Sequence, residues 1–236
     1  MTDHGHSPQE IAKRIGAPHG RGVLRDAVYG AIDGAVTTFA IVAGVAGAGL
    51  SPFIVVALGI ANVLADGFSM AAANYSGTKA ELDNMRRIRK IEEHHIQKYP
   101  EGERLEVREI LALKGLTGDV LNQATDAVTQ NRENWISLMM EGEYGFGGID
   151  PHPAKSAATT FLAFLVAGVV PLFPFLIGVE NAFIVSAAMT MVTFFAIGAL
   201  KSLWSLSPWW RSAAETFLIG GVAAAIAFYV GTLFHA

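Results

Sequence analysis

The chain has 236 residues, of which 52% are hydrophobic and 16% charged, and its formal net charge is -4. Basic residues alternate with acidic ones and form no basic stripe, so the composition excludes a nucleic-acid partner. The absence of cysteine excludes disulfides, thiolate metal sites and cysteine nucleophiles. Charge is dense from about residue 79 to 155 and sparse elsewhere, which indicates a lipid-soluble part and a water-soluble part.

The N-terminal segment, residues 1–25, is predicted to be a cytoplasmic tail that is mostly disordered, with room for one short helix. It lacks the short apolar core and the small-residue cleavage site that a signal peptide requires.

Five apolar segments, each longer than twenty residues, are predicted to be transmembrane helices. A helix rises about 1.5 Å per residue and needs roughly 20 residues to cross a hydrocarbon core of about 30 Å. Short connections make the first two segments one antiparallel hairpin and the third and fourth another. The segments are Ala27–Leu50, Pro52–Tyr75, Ala157–Gly178, Ala182–Leu203 and Ala213–Leu233.

The distribution of Lys and Arg predicts the orientation, because positively charged loops are retained in the cytoplasm. Four of the 17 lie in the tail, eleven between Lys79 and Lys155, and two between the fourth and fifth spans. If the N-terminus is inside, none lies outside. The count favours five spans, a cytoplasmic middle region and an outward C-terminus.

We therefore predict an all-α integral membrane protein with a cytoplasmic helical domain between the second and third spans. Residues 26–76 hold the first two spans, residues 77–155 the cytoplasmic domain and residues 156–236 the last three spans. The domain reads as short amphipathic helices, the first of which continues out of the second span. Gly115, Gly118 and Asn131 are predicted to separate the shorter helices that follow.

Small residues and prolines indicate how the spans pack. Spans in lipid associate through close backbone approach, so Gly30, Gly34 and Gly47 predict tight packing of the first span. Pro171 and Pro174 predict a bend in the third span that turns backbone carbonyls toward a neighbour.

Two carboxylates lie deep in predicted spans, Asp33 and Asp66. A charge in a span costs about 2.5 to 3.5 kcal/mol on insertion scales, so both are functional candidates. Asn62, Asp66 and Met70 are spaced i, i+4, i+8 and share one helical stripe that could line a polar path. The alternative is that both aspartates are interhelical hydrogen-bonding groups that hold the bundle together.

Two further acidic residues, Asp26 and Glu215, lie within one turn of a predicted membrane boundary. For both, the position predicts a place at the interface between membrane and water.

The polar domain carries acidic residues at helical spacing. Glu92 and His95 are spaced i, i+3, and Glu103 and Glu106 repeat that spacing on the next predicted helix. Two such helices can direct carboxylates and an imidazole at one cation, as in the iron sites of helical bundles. The alternative is an ordinary solvated acidic face.

A third candidate segment ends this domain and offers Met139, Met140 and Glu143. Carboxylate and nitrogen ligands suit divalent iron, manganese or zinc, whereas thioethers favour softer ions. From spacing alone, core packing is the better reading of the two methionines.

The sequence resembles the vacuolar iron transporter family over nearly the whole chain after the tail. The resemblance lies in four stretches, which are RDAVYGAIDGAVTTFAIVAGVAGA, NVLADGFSMAAANYSGTKAELD, WISLMMEGEYGF and AGVVPLFPF. It implies a homodimer in a lipid bilayer that moves Fe2+ out of the cytosol in exchange for protons, along a path at the subunit interface.

The resemblance also implies roles for individual residues. Asp33 and Met70 match the residues that line the family's path. The positions that match its cytoplasmic metal-binding residues are Glu92, Glu103, Glu106, Glu143, Met139 and Met140.

Two positions depart from the family's pattern. His95 replaces a further glutamate, which predicts metal capture that is sensitive to pH, because the usual pKa of a histidine is about 6.5. Asn62 replaces a glutamate of the second span, and Asp66, one turn away, is the candidate substitute.

The main alternative is an enzyme, a membrane-anchored di-iron ferroxidase, although only Glu92 and His95 fit the Glu-x-x-His repeat of such sites. A metal sensor is a third possibility. No prosthetic group is expected, and the ligand set also admits Mn2+, Co2+ and Zn2+. The expected membrane is the inner membrane of a prokaryote or the vacuolar membrane of a eukaryote.

Overall fold

The computed structural model describes residues 5–15, 19–20, 22–147, 149–204 and 206–234. Within these ranges the protein is helical apart from a two-residue parallel pairing of His19–Gly20 with Ile149–Asp150. In chain order the elements are α1 (Pro8–Ile15), β1 (His19–Gly20), α2 (Leu24–Gly47), α3 (Pro52–Lys98), α4 (Pro100–Leu113), α5 (Gly118–Thr129), α6 (Arg132–Gly142), β2 (Ile149–Asp150), α7 (Pro153–Leu176), α8 (Ala182–Lys201), a 3-10 turn (Ser202–Trp204) and α9 (Trp209–Thr232).

The chain divides into two compact units. The spanning unit comprises Gly22–Gly77 and Pro153–Ala236, and the polar unit comprises Met1–Arg21 and Thr78–His152. Of the tail, α1 is described, and the predicted disorder of residues 1–4, 16–18 and 21 lies outside the described residues.

Five helices of the described chain are long and apolar enough to cross a membrane, which confirms the predicted number of spans. They are α2, α3, α7, α8 with its 3-10 turn, and α9. The second of them is longer than its apolar segment, since α3 continues without a break to Lys98. The predicted helix leaving the second span is therefore part of that span's own helix.

Glycines of α2 let its backbone lie directly against two neighbours. A Cβ atom at Gly30 would come within 2.3 Å of the Thr160 carbonyl oxygen on α7, and one at Gly47 within 2.5 Å of the Phe228 carbonyl oxygen on α9. Both distances are shorter than real carbon–oxygen contacts. The prediction that small residues pack the first span tightly is confirmed.

The spanning unit has an apolar core and an apolar outside. Phe39, Val42 and Leu172 are almost fully buried, whereas Phe68 is 69% and Leu218 63% exposed. Exposed large apolar side chains suit lipid contact. The two prolines lie inside α7, and the Pro171 carbonyl accepts a 2.6 Å hydrogen bond from the buried Ser186 hydroxyl of α8, as expected for a carbonyl turned toward a neighbour.

In the polar unit, α4, α5 and α6 enclose a small apolar core. Val107, Trp135 and Met139 lie in this core, and the predicted turn glycines Gly115 and Gly118 adopt positive φ of 95° and 59°. Glycine is favoured there because a side chain would clash with the backbone. These glycines turn the chain between α4 and α5, whereas Tyr99 alone connects the end of α3 to the acidic first turn of α4.

Candidate functional site

Four polar side chains of the polar unit lie together. The Tyr144 hydroxyl donates a 3.0 Å hydrogen bond to Glu92 Oε1. His95 Nδ1 lies 3.5 Å from Glu103 Oε1 and 4.0 Å from Glu92 Oε1. The predicted i, i+3 pair on α3 therefore meets the first turn of α4, which is acidic as helix N-termini favour.

The two carboxylates of this cluster are buried, Glu92 to 1% and Glu103 to 6% exposure. One oxygen of each, Oε2, is buried without a hydrogen-bond partner. A buried carboxylate oxygen left unpaired costs free energy that a proton or a cation would relieve. The cluster is thus a place where positive charge binds favourably.

Burial and repulsion among the acids raise the pKa of two of them. Burial, followed by the negative charges of Glu106, Glu92 and Glu143, raises the pKa of Glu103 to about 7. The pKa of Glu106 is also raised, by burial first and then by Glu143 and Glu92, while His95 opposes the shift.

Tyr144 is the residue of this cluster that our sequence reasoning missed. Burial and hydrogen bonding to Glu92 and Glu143 raise its pKa above the usual range, so the phenol remains a donor. Its position within the stretch WISLMMEGEYGF, next to Glu143, was the available signal.

Met139 and Met140 are buried on α6. Met139 packs with Val107 and Trp135, and Met140 packs with Ile88 and Ile136. Both therefore occupy core positions, as spacing alone favoured. Among the described residues, no three His, Cys, Asp or Glu side chains are arranged to hold a metal ion together, so the full ligand set stays a prediction.

In the spanning unit two consecutive hydrogen bonds connect α2 to α3. Asn62 Nδ2 donates to Thr37 Oγ1 at 3.3 Å, and the Thr37 hydroxyl donates to the Asp33 backbone carbonyl at 2.8 Å. This chain of hydrogen bonds ends at the backbone of Asp33 and does not involve its carboxylate. Asn62 is therefore tied to the first span without using a charge.

The remaining predicted path residues, Asp66 and Met70, are half-buried on α3, as are Asn62 and, on α2, Asp33. Asp33 and Asp66 lie near enough for their charges to interact. None of the four is enclosed within the single chain. The structure thus places two carboxylates, an amide and a thioether on partly open faces of the first two spans.

Asp26 is a buried carboxylate of the spanning unit. It lies in the first turn of α2, where its depth at the membrane boundary stays a prediction, and it is 5% exposed because three helices surround it. Asn74 of α3 donates to Asp26 Oδ1 at 3.1 Å and also contacts Thr160 Oγ1 of α7 at 2.7 Å. Glu215 does lie at the surface, 63% exposed, paired with Lys201.

The chain was compared with known proteins. The model of the VIT family matches residues 24–232. The chain is 36% identical to "Vacuolar iron transporter 1" of Arabidopsis thaliana over 209 residues, which cover 87% of this chain and 84% of that protein. It is 34% identical to the protein of the same name from Eucalyptus grandis, with the same coverage. It is 32% identical to "Vacuolar iron transporter" of Toxoplasma gondii over 222 residues, 89% of this chain and 74% of that protein.

Proposed function

The chain belongs to the VIT family, and from this we propose that it is a metal-ion transporter that moves Fe2+ out of the cytosol in exchange for protons. The observation that carries the proposal is the family match over residues 24–232. The matched relatives are named as iron transporters. The five spans agree with a membrane carrier.

The acidic cluster of the polar unit is proposed to collect the ion from the cytosol. The unpaired oxygens of Glu92 and Glu103 offer buried negative charge, and the nearby His95 offers nitrogen. Carboxylate and imidazole ligands suit Fe2+. Burial and the neighbouring acids raise the pKa of Glu103 to about 7, so iron that binds there displaces a proton from Glu103 and capture is coupled to proton release.

Glu106, Glu143 and Met139 with Met140 are proposed to complete the ligand set after local rearrangement. Glu106 and Glu143 already act on the protonation of Glu103 through their charges. Met139 must turn out of the apolar core to reach an ion, because it is fully buried. We therefore assign the carboxylates the larger share of the affinity.

The translocation path is proposed to use Asp33 and Met70, with Asn62 and Asp66 beside them. All four lie on partly open faces, which a second copy of the chain would cover in a homodimer. Mixed carboxylate and thioether coordination binds Fe2+ weakly enough for release, as conduction requires. Asp66 takes the place of the glutamate that Asn62 replaces.

The orientation is proposed from the Lys and Arg distribution, which puts the polar unit and the N-terminus in the cytoplasm. Iron export from the cytosol requires that arrangement, since the collecting cluster must face the supply of ions.

Uptake into liposomes tests the proposal. The purified chain is reconstituted with an imposed pH gradient, and Fe2+ entry is followed with an internal chelating dye. We expect gradient-dependent uptake for the wild type and a loss of at least tenfold for Asp33→Ala, because the path loses its charge. Glu180→Gln, in the exposed turn before α8, is the matched control and should transport normally.

Uptake by Asp33→Ala at the wild-type rate would contradict the path assignment. Rapid oxidation of iron by the wild type without uptake would contradict transport and favour the ferroxidase alternative. Uptake that is indifferent to the pH gradient would remove the proton exchange alone.

A further inference from the structure

A crevice of about 610 Å³ opens between α2, α7 and α8 of the spanning unit. Four of its fifteen lining residues are alanines, Ala27 and Ala31 on α2 and Ala163 and Ala167 on α7. These side chains are too short to fill the space up to α8. The small alanine side chains therefore leave an apolar groove, and their methyl groups form its floor.

The backbone packing explains why the floor is shallow and fixed. Gly30 lies so close to α7 that an added Cβ atom would approach the Thr160 carbonyl to 2.3 Å. The same is true at Gly34, where the Phe164 carbonyl is 2.4 Å away. With α2 and α7 locked together, the groove keeps its shape without an occupant.

The two ends of the crevice differ. At one end lie Lys201, the last residue of α8, and Trp204. Toward the other end the lining reaches Val170 on α7, eleven residues beyond Thr159. At 1.5 Å per residue this is about 16 Å, roughly half of a hydrocarbon core of about 30 Å. The crevice is as long as one leaflet is thick.

We propose that this crevice binds one anionic phospholipid, with an acyl chain along the alanine floor and the phosphate at Lys201. Trp204 supplies the aromatic ring that favours the headgroup level. In the orientation proposed above, this end faces the cytoplasmic leaflet, which carries the anionic lipids. The groove is concave, narrow and nearly free of polar groups, features that suit a flexible chain.

Lys201 is able to bind phosphate although it has a partner. Its Nζ lies 3.2 Å from Glu215 Oε2, and the Glu215 side chain is 63% exposed. An ion pair this exposed contributes little free energy. A phosphate that is held in place by its buried acyl chain competes with Glu215 at a high effective concentration.

Native mass spectrometry of the delipidated full-length chain tests the proposal. The protein is titrated with phosphatidylglycerol or with phosphatidylcholine of the same acyl chains, and bound lipids are counted. We expect one phosphatidylglycerol to bind about tenfold more tightly than phosphatidylcholine, as a charge-assisted hydrogen bond allows. Lys201→Gln should abolish this preference.

Three further variants test the roles of Lys201 and of the groove. Glu215→Gln should keep or strengthen the preference for phosphatidylglycerol, because it frees Lys201. Arg211→Gln removes a cation at the start of α9 that does not line the crevice, and it should behave as wild type. Ala27→Phe should block the groove and lower binding of both lipids.

Equal binding of the two lipids by the wild type would overturn the proposal, as would a loss of preference in Arg211→Gln equal to that in Lys201→Gln. The proposal also fails if the wild type binds no lipid there and Ala27→Phe converts a dimer to a monomer. A second copy of the chain would then be the occupant.

Discussion

The polar unit and the spanning unit both bury carboxylates, but they support them differently. In the polar unit Glu92 and Glu103 lie beside the same imidazole, and each has one oxygen without a partner, so the cluster gathers several acids at one place. In the spanning unit Asp26 also has one oxygen without a partner, but it is a single carboxylate, and its other oxygen accepts a hydrogen bond from the neutral amide of Asn74. The first arrangement favours binding a cation, and the second favours holding helices in register.

The largest effect is expected from a substitution at the helix contacts that hold the spanning unit together. Gly30→Leu would place a side chain where the Thr160 carbonyl lies 2.3 Å from the added Cβ. Backbone cannot yield as a flexible side chain does, so we expect loss of the folded state, measured as aggregation on size-exclusion chromatography in detergent.

Gly221→Leu is the matched control for that variant, because no atom lies within 4 Å of an added Cβ at Gly221. It should elute as the wild type does. If both variants elute normally, the close packing of α2 on α7 is not required for folding.

A smaller effect is expected where Asn74 holds Asp26. Asn74→Leu removes the donor to Asp26 Oδ1 and leaves a buried carboxylate without it, at a cost of about 1 to 3 kcal/mol. We expect a lower midpoint of thermal unfolding in detergent. The double variant Asp26→Leu with Asn74→Leu should recover part of the loss, because no buried charge remains unpaired.

Failure of the double variant to recover any stability would show that Asp26 matters for another reason than its bond to Asn74. The cycle of single and double variants separates the pairwise free energy from the cost of each substitution.

The smallest effect is expected from pH on the polar unit. The pKa of Glu103 is raised from its usual 4.5 to about 7, so the folded state binds a proton more tightly than the unfolded state does. The resulting stabilisation is complete below pH 4.5 and is lost as the pH rises through about 7. Hydrogen exchange of peptides from α4 and α6, corrected for intrinsic rates, should show easier opening at pH 8 than at pH 5.

Glu103→Gln should remove most of that pH dependence while it keeps the side chain's shape. Glu101→Gln, on the exposed first turn of α4, is the control and should leave the dependence unchanged. A pH profile that is the same in Glu103→Gln as in the wild type would assign the effect to another group.

Local patterns predicted much of the fold. Runs of apolar residues gave the five spans, and Gly115 and Gly118 marked turns, because both signals act over a few neighbouring residues. The spacing of Glu92 and His95 likewise predicted a shared helix face. These predictions needed no knowledge of which helices pack together.

Contacts between distant segments were beyond that reasoning. Tyr144 reaches Glu92 across 52 residues, and Asn74 reaches Asp26 across 48. The residues next to Asp26 in the sequence do not show whether its carboxylate is buried between helices or exposed at the membrane surface. Only the approach of α7, which brings Thr160 beside both residues, determines the outcome.

The Asp26 contact has a consequence for synthesis of the chain. Its hydroxyl neighbour Thr160 lies 134 residues later, so at about 5 to 20 residues per second the ribosome delivers it on the order of ten seconds after Asp26. During that interval the Asp26 site is incomplete, because α7, which supplies Thr160, has not yet been synthesised.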